Sequence, residues 1–325
     1  MRLDRVLLGL ALLGFGAGAN AQSWSPQKNV EIIVPVAPGG TNDKLARAIE
    51  RTFVTGKILN TSVTVVHKPG GGNQIAYTYV SQQAGDPHYL LIGTTTLITG
   101  HATGSSKLSY ADFSPIASVF NDYVVIAVYA DSPLKSGGDL IARMRADPQA
   151  MPLGFASALG NHHHIIAGLF MKNIGANPRD LKTVVFKGSS AALTALLGGH
   201  IELVSTGAGN AAPHMAAGKL RVLGVSSGRR LPGTMAVVPT WKEQGVDLVY
   251  GSWRSIVAPK GLTSEQVAYW ENALRKVVES ADWKSELERN YWGDFFLTGE
   301  EFRKVRDRDY REMKAVLVEL GLAKQ

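Results

Sequence analysis

The stretch VEIIVPVAPGGTNDKLARAIERTF, residues 30–53, decides the fold class because it combines a strand, a turn and a helix. Residues 30–36 are rich in β-branched side chains, which favours a strand. A Pro-Gly-Gly turn follows, and then Leu45, Ile49 and Phe53 recur at a spacing of four, which places them on one helix face. Together these three parts predict the opening of a βαβ unit.

The same alternation of β-branched runs and helical patterns continues along the chain, which predicts an α/β fold with a largely parallel sheet. We expect further strands at 63–66, 89–93, 124–129, 153–156, 183–186, 201–204, 220–225 and 255–257. Helices are expected at 44–54, 75–83, 138–145, 164–174 and 191–197. Near the C-terminus, Thr263 with Gln266 and Thr298 with Glu301 match the spacing of capping boxes, which predicts two or three surface helices.

Length and composition bound the function. The chain has 325 residues, of which 45% are hydrophobic and 19% charged, so it can bury a large core. This length exceeds a typical domain of about 100–200 residues, which favours two lobes. The net charge of +7 comes without a basic block or a nucleic-acid motif, so no nucleic acid is expected as partner. Because cysteine is absent, disulfides and thiolate sites are excluded.

Residues 1–21 have the pattern of a cleaved secretory signal. Arg2 and Arg5 precede a short apolar run at 6–18, and Ala19-Asn20-Ala21 matches the small-x-small cleavage pattern. The apolar run is shorter than the about 20 residues that span a bilayer. We therefore expect an exported mature chain that begins near Gln22.

Several predicted strands end in loops rich in glycine and hydroxyl residues. Such loops lie at 37–43, 93–96, 160–164 and 187–190, and most of them open a predicted helix. In open α/β sheets ligands sit at the carboxyl ends of strands, and a helix N-terminus attracts anions. Two lobes that each contribute such loops would form a trap that closes on a carboxylate.

Three consecutive histidines, His162–His164, raise the question of a metal site. Adjacent helix residues point about 100° apart, so these three side chains cannot readily bind one ion. No H-E-x-x-H motif, phosphate-binding loop or dinucleotide fingerprint occurs, so we predict neither a metal nor another cofactor. One or two of the histidines could instead donate a hydrogen bond to a carboxylate, with a charge that responds to mild acidity.

A secreted serine hydrolase is the alternative function. Residues 224–228, Gly-Val-Ser-Ser-Gly, match the G-x-S-x-G nucleophile elbow formally, with Ser226 as the nucleophile. The following residues, 229–233, contain Pro232 where that motif requires a helix, so the hydrolase stays second to a binding protein.

A series of motifs runs through the mature chain in a specific order. They are IVP at 33–35, APGG at 37–40 with Asp43, KPGGG at 68–72, GT at 93–94, GNHHH at 160–164, FKGS at 186–189, LTALLGGH at 193–200, PH at 213–214, AGKL at 217–220, and Trp253 with AP at 258–259. In order and spacing the chain resembles the tripartite tricarboxylate transporter substrate-binding proteins, also called the Bug family.

The resemblance implies a periplasmic binding protein, not an enzyme, with two α/β lobes joined by crossing strands and a ligand cleft between them. Lobe I is then expected at 22–122 and 249–325, and lobe II at 123–248, with crossings near 121–124 and 249–253. The implied partners are a small organic acid and either membrane transporter subunits or a sensor domain. A capture protein of this kind is expected to act as a monomer.

The family's ligand positions can be carried onto this chain residue by residue. A single ligand carboxylate is expected between the Pro-Gly-Gly loop at 38–43 and its counterpart in the second lobe at 160–164, and the far end of the ligand is expected at more variable positions. The expected ligand-binding residues are Pro38, Gly39, Gly40, Thr41, Asp43, Thr94, Thr95, Thr96, Gly160, Asn161, His162, His163, His164, Thr206, Gly207, Trp253 and Arg254.

This chain departs from the family pattern at positions that bear on the ligand. The family commonly has small hydroxyl residues at 162 and 163, an acidic residue at 206 and an uncharged residue at 254. The pocket is therefore expected to be less acidic and more cationic. An inward-pointing Arg254 would clamp a second carboxylate, and Trp253 would stack on an aromatic ring. These features predict a dicarboxylate ligand, possibly aromatic.

Overall fold

The computed structural model describes residues 24–323, in which ten strands and ten α-helices alternate. The strands are β1 Val30–Val34, β2 Val63–His67, β3 Tyr89–Gly93, β4 Phe113–Tyr129, β5 Leu153–Ala156, β6 Thr183–Phe186, β7 Leu203–Gly207, β8 Leu220–Val225, β9 Gly251–Pro259 and β10 Gly293–Thr298. The helices are α1 Thr41–Thr55, α2 Gln74–Ser81, α3 Thr96–Ala102, α4 Gly137–Ala146, α5 His162–Asn173, α6 Ser189–Leu197, α7 Ala208–Ala216, α8 Ser264–Glu279, α9 Ala281–Asn290 and α10 Gly299–Glu319.

The signal predicted at 1–21 lies outside the described residues. Among residues 24–323, no helix combines the length and the apolar character that a membrane crossing requires.

The strands form one continuous mixed sheet with the order β2-β1-β3-β9-β4-β7-β5-β6. Strands β1, β2 and β3 pair in parallel at one end, and β5, β6 and β7 pair in parallel at the other. Strands β4, β8, β9 and β10 pair antiparallel between these ends. The prediction of a largely parallel sheet was thus wrong for the centre, because long strands run there between two βαβ units.

The long strand β4 joins two lobes. Its first part pairs with β9 up to Tyr123, which lies opposite Gly251. From Val124 onward β4 pairs instead with β7, where Val124 lies opposite Gly207. One strand therefore belongs to two half-sheets, and its change of partner brings the loops of both half-sheets to a common cleft.

Each lobe has its own apolar core. In lobe I, the inward faces of β1, β3 and β9 pack under α1 and α8 around Phe53, Trp270 and Trp283. In lobe II, helices α4 and α5 cover one sheet face, and α6 and α7 cover the other. Most of the apolar core is therefore divided between the two half-sheets.

The C-terminal helix α10 contacts both lobes. Leu317 and Met313 pack with Ile98 of α3 and Ile165 of α5 in one apolar cluster. Near its end, Glu319 accepts a hydrogen bond from Lys172 of α5 at 2.6 Å. Helix α10 therefore packs across the side of the molecule on which the lobes are joined.

Candidate functional site

A small cavity lies between the lobes, where the loops after β1, β3, β5 and β6 meet. The space open to the centre of a water molecule is about 30 Å³. Its lining from lobe I is Val36, Gly40, Thr41, Asn42, Thr94, Thr96 and Arg254, and its lining from lobe II is Ala156, Ser157, Asn161, His162, His163 and Ser189.

The cavity brings together eight of the expected ligand-binding residues and adds five others. The expected residues in its lining are Gly40, Thr41, Thr94, Thr96, Asn161, His162, His163 and Arg254. The additional ones are Val36, Asn42, Ala156, Ser157 and Ser189. Two of these five, Asn42 and Ser189, lie in the first turns of helices α1 and α6. The loops that precede these helices, at 37–43 and 187–190, are among the glycine- and hydroxyl-rich loops that the sequence predicts at the cleft.

Four helices, α1, α3, α5 and α6, begin at this cavity. In α3 the N–H groups of Leu97 and Ile98 already donate to the carbonyls of Thr94 and Thr95, so the relevant N-termini are those of α1, α5 and α6. Gly40 and Gly188 are the N-caps of α1 and α6, and neither helix has a side-chain cap on its first N–H groups. At α5, the Asn161 side chain accepts from the His164 N–H at 3.1 Å and donates to the Ala156 carbonyl at 2.6 Å, which fixes the turn. Free N–H groups and aligned helix dipoles make each of these N-termini favourable for an anion.

Arg254 forms the floor of the cavity, and its guanidinium is fully engaged by the protein. Its Nε donates to Asn42 Oδ1 at 2.9 Å, and its Nη1 donates to the carbonyl and hydroxyl of Ser252 at 3.1 and 2.8 Å. Its Nη2 donates to Asp122 Oδ2 at 3.0 Å and to His162 Nε2 at 3.1 Å. These partners account for the five N–H donors of the guanidinium. The prediction of a bidentate clamp on a second carboxylate is therefore wrong for this arrangement.

Asp122 is an acidic residue of the cleft that the sequence analysis did not identify. It lies in β4 beside the cavity, and its side chain and that of Arg254 are both only 2% exposed. Burial raises the pKa of Asp122, an effect that the Arg254 charge, a hydrogen bond from Thr41 and the Lys44 charge oppose. Because the guanidinium has a buried carboxylate partner, the pocket is not the uncompensated cationic one that the sequence predicts.

The three histidines are neutral and have distinct neighbours. Since an arginine N–H can only donate, His162 Nε2 accepts, and the proton of its ring lies on Nδ1. His163 Nδ1 lies 3.0 Å from Ser205 Oγ, and His164 Nδ1 accepts the Gly160 N–H at 3.1 Å. Burial lowers the pKa of all three histidines, to about 3 for His163 and about 4 for His164. The predicted response to mild acidity is wrong for the folded protein, because the imidazoles are buried.

Several expected binding residues shape the loops instead of lining the cavity. Asp43 accepts the Gly39 N–H at 2.9 Å and also contacts His67 Nε2 at 2.8 Å, so it stiffens the first loop. Gly39 and Gly160 have φ angles of +89° and +74°, a left-handed region that favours glycine. Pro38 belongs to the same turn as Gly39.

Trp253, Thr206 and Gly207 also lie outside the cavity lining. The Trp253 indole packs edge-on against Phe302 of α10 and donates to Asp309 at 2.5 Å, so the predicted aromatic shelf is absent from the described cavity. Thr206 is fully buried within β7. At Gly207, an added Cβ would lie 2.9 Å from both Asp122 Oδ1 and Thr41 Oγ1, so glycine permits the lobes to approach there.

Hydrogen bonds across the cleft hold the lobes together around the cavity. Ala37 N donates to Lys187 O at 3.2 Å, and Ser157 Oγ donates to Asn73 Oδ1 at 3.0 Å. Helix α1 adds two bonds to α7, from Lys44 Nζ to Gly209 O at 2.9 Å and from Asn210 Nδ2 to Thr41 Oγ1 at 3.1 Å. Thr95 lies behind this surface, with its hydroxyl 3.5 Å from His162 Nδ1. The structure is thus a closed arrangement of the two lobes.

Ser226 cannot act as a nucleophile where it lies. Its side chain is fully buried, and its hydroxyl donates to Tyr250 O at 2.7 Å and accepts from Val124 N at 3.0 Å. The hydroxyl links the two points at which the chain crosses between the lobes. The prediction of a hydrolase alternative is therefore wrong, because a nucleophilic serine must reach both a substrate and a base. Within residues 24–323, no three His, Asp or Glu side chains are grouped so as to hold a metal ion.

Comparison with curated proteins gives relatives along most of the chain. Over 316 residues the chain is 27% identical to the UPF0065 protein in the gbd 5' region of Cupriavidus necator, covering 97% of this chain and 94% of that protein. Over 291 residues it is 28% identical to protein BugT of Bordetella pertussis, covering 86% of each.

Solved structures have the same architecture. A TctC solute binding protein from Polaromonas is 30% identical, with a TM-score of 0.65 over 91% of this chain and 99% of that one. An R. palustris protein with adipate is 26% identical, with a TM-score of 0.82 over 92% and 99% of the two chains. The periplasmic binding protein BugD, 23% identical, gives a TM-score of 0.83 over 92% and 100% and supports the fold. Residues 45–322 match the tripartite tricarboxylate transporter family receptor, TctC. The chain therefore belongs to the tripartite tricarboxylate transporter family of solute-binding receptors.

Proposed function

We propose that the protein captures a small organic carboxylate, specifically a dicarboxylate, in the cleft between its lobes and delivers it to the membrane subunits of a tripartite tricarboxylate-type transporter. The observation that carries this proposal is the meeting of three helix N-termini from two lobes at one cavity. Partial positive charge at these termini selects an anion. The family, and the relative with adipate, support an organic acid.

The ligand carboxylate would bind to main-chain groups of both lobes. Thr41 and Asn42 offer N–H groups from lobe I, and His162, His163 and Ser189 offer them from lobe II. A ligand that touches both lobes stabilises the closed form by its differential affinity for that form. We propose that residues 22–122 and 249–325 move as one lobe and residues 123–248 as the other, in a protein that acts as a monomer.

Capture and release without chemical change is the activity we propose. Ser226 is held by backbone groups at the lobe crossing, which supports binding without catalysis. The signal pattern at 1–21 supports export to the periplasm, where the receptor would meet its ligand. A sensor domain is the other receiver that this capture mechanism allows.

A thermal-shift screen of residues 22–325 against mono-, di- and tricarboxylates tests the proposal. A ligand at about 100 times its dissociation constant adds about 2.7 kcal/mol to the free energy of unfolding, which raises the melting temperature visibly. Calorimetric titration then gives the affinity. Strong binding confined to neutral or cationic compounds would contradict the proposal.

A matched pair of proline variants tests the helix termini. Ser189→Pro removes one cavity-facing N–H at the first residue of α6, where proline fits the helix. Loss of one hydrogen bond to a charged group, worth about 1.5–3 kcal/mol, should weaken binding by roughly 10- to 150-fold. Ala281→Pro introduces a proline at the equivalent position, the first residue of α9, away from the cavity. It should leave the affinity unchanged, and equal losses in both variants would argue against the site.

A further inference from the structure

Helix α10 begins on lobe I and ends against lobe II. Its first half is fixed to lobe I, because Phe302 packs edge-on against Trp253 of β9 and Asp309 accepts the indole N–H of that tryptophan at 2.5 Å. Its last turn instead contacts α5 of lobe II, where Leu317 packs in one apolar cluster with Ile165. The helix therefore spans the boundary between the two lobes.

Two glycines of lobe II accommodate the end of α10. Gly168 lies inside α5, where glycine is less favourable than alanine, and a Cβ on it would collide with the Leu320 side chain. Gly160 precedes α5 at the cavity, and a Cβ there would lie 3.3 Å from Leu317 Cδ2. The two leucines are only 7% and 0% exposed. Their side chains are therefore buried in part by a close approach that glycine permits.

The chain turns back after α10 and adds polar contacts. Gly321 has a φ of +71°, and the N–H of Leu322 donates to the carbonyl of Leu317 at 2.8 Å. Lys172 of α5 donates to Glu319, but both side chains are about half exposed, so this pair contributes little. The contact with α5 is therefore held mainly by its buried leucines.

We propose that the end of α10, residues 317–322, is a latch that stabilises the closed arrangement independently of the ligand. Because α10 is fixed to lobe I and α5 belongs to lobe II, opening the cleft would pull the two glycines away from the two leucines and expose apolar surface to water. The inference rests on the lobe movement of the proposed function. Since α5 also begins at the cavity, the latch sets the fraction of molecules in which the carboxylate site is complete.

The distance between the lobes in the ligand-free protein tests the latch. The chain contains no cysteine, so Thr78→Cys in α2 and Thr194→Cys in α6 introduce two exposed sites for spin labels, one in each lobe. Pulsed electron spin resonance then gives the populations at short and long distances. Burial of one leucine side chain changes an equilibrium by roughly 10- to 150-fold. Leu320→Ala should therefore lower the ratio of closed to open molecules at least about tenfold.

A second variant, Gly168→Ala, changes the lobe II side of the same contact. Alanine favours the helix, but its methyl group collides with Leu320, so the cleft should open without damage to α5. The matched control is Leu59→Ala, because Leu59 is 8% exposed and lies in the core of lobe I. It should lower the melting temperature and leave the distance distribution unchanged.

The outcomes separate the latch from the carboxylate site. An unchanged distance distribution in both Leu320→Ala and Gly168→Ala would overturn the latch and leave the carboxylate receptor standing. An equal shift in Leu59→Ala would overturn it too, since opening would then follow from lost stability. Failure of every acid in the thermal-shift screen, with both latch variants still opening, would overturn the proposed function alone. Should Leu320→Ala fail to fold, Gly168→Ala decides.

Discussion

The buried pair between Arg254 and Asp122 should be a large contributor to the integrity of the cleft, and Arg254→Gln tests this. The two side chains are each 2% exposed, and Nη2 lies 3.0 Å from Oδ2. Removing one partner leaves an uncompensated buried charge, which costs about 3–5 kcal/mol. At about 2–4 °C per kcal/mol for a protein larger than about 150 residues, the melting temperature should fall by about 6–20 °C.

The double variant Arg254→Gln/Asp122→Asn separates lost charge from lost shape. With both charges removed, no uncompensated charge is left in the interior, which removes the main cost of the single variant. We expect the double variant to recover more than half of the stability that the single variant loses. The free energies of unfolding come from urea titrations at pH 7.5.

The pH dependence of the single variant has a definite sign. Burial already raises the pKa of Asp122, and loss of the Arg254 charge removes the main opposing effect. The folded variant then binds a proton more readily than the unfolded chain, so its stability relative to wild type increases as the pH falls. A single variant that melts within about 2 °C of wild type, or a double variant as unstable as the single one, would refute the reasoning.

Three further outcomes follow from the geometry of the cleft. Gly39→Ala should weaken carboxylate binding because its Cβ meets Ser190 of the other lobe, whereas Gly85→Ala, at a similar φ of +79° with open space around it, should cost stability without changing affinity. Burial lowers the pKa of His162, His163 and His164 in the folded protein, so the unfolded chain takes up protons at a higher pH than the folded one. The free energy of unfolding should therefore fall by about 4 kcal/mol between pH 7.5 and pH 5.5. Urea midpoints at both pH values measure this, and His164→Gln should remove about a third of the loss; an unchanged loss would contradict the assignment. Ser226→Ala should lower stability by about 1–3 kcal/mol through two lost backbone partners and leave ligand affinity intact, and any esterase activity that disappears with this change would contradict the structural role.

The strands were predictable where mostly apolar residues form a compact run. The predicted bounds at 89–93, 153–156, 183–186 and 220–225 coincide with β3, β5, β6 and β8. By contrast, the first part of β4 was missed because Pro115 and several polar residues interrupt its apolar pattern. The pairing of β4 with β9 shifts register after Pro115, and such an irregularity is a position at which a strand tolerates proline.

The sequence patterns that mark helix ends predicted some helices correctly and missed others. The box of Thr263 and Gln266 forms at the start of α8. Thr298 is the N-cap of α10, but among the described residues its side chain makes no capping bond, so only the position of that helix was predicted correctly. Helix α7 was missed because Pro213 lies inside it, and tertiary packing against β7 and β8 outweighs that local preference.

The loops of the site were predictable, whereas the direction of their side chains was not. Glycine and hydroxyl residues at strand ends marked the helix starts that line the cavity. Asp43 and Trp253 do not line the cavity, because Asp43 bonds within the first turn and Trp253 packs against α10. Neither contact leaves a recognisable pattern in the local sequence. The Arg254–Asp122 pair joins residues 132 positions apart, so it follows from the register of β4 and β9 and not from any motif.

In the mechanism we propose, the neutralised arginine allows a cleft that binds an anion to open as well. An unpaired guanidinium beside three helix N-termini would be a buried positive charge that only the ligand could compensate. Release of the ligand would then leave the guanidinium charge next to the partial positive charges of the helix N-termini, which repel it. With residues 22–122 and 249–325 moving as the one lobe proposed above, opening the cleft would break the bond from Arg254 to His162 and leave the ion pair of Arg254 with Asp122 intact. The cross-lobe hydrogen bonds are each worth only about 0.5–1.5 kcal/mol net. Closure can therefore be decided by the carboxylate that bridges α1 of one lobe with α5 and α6 of the other.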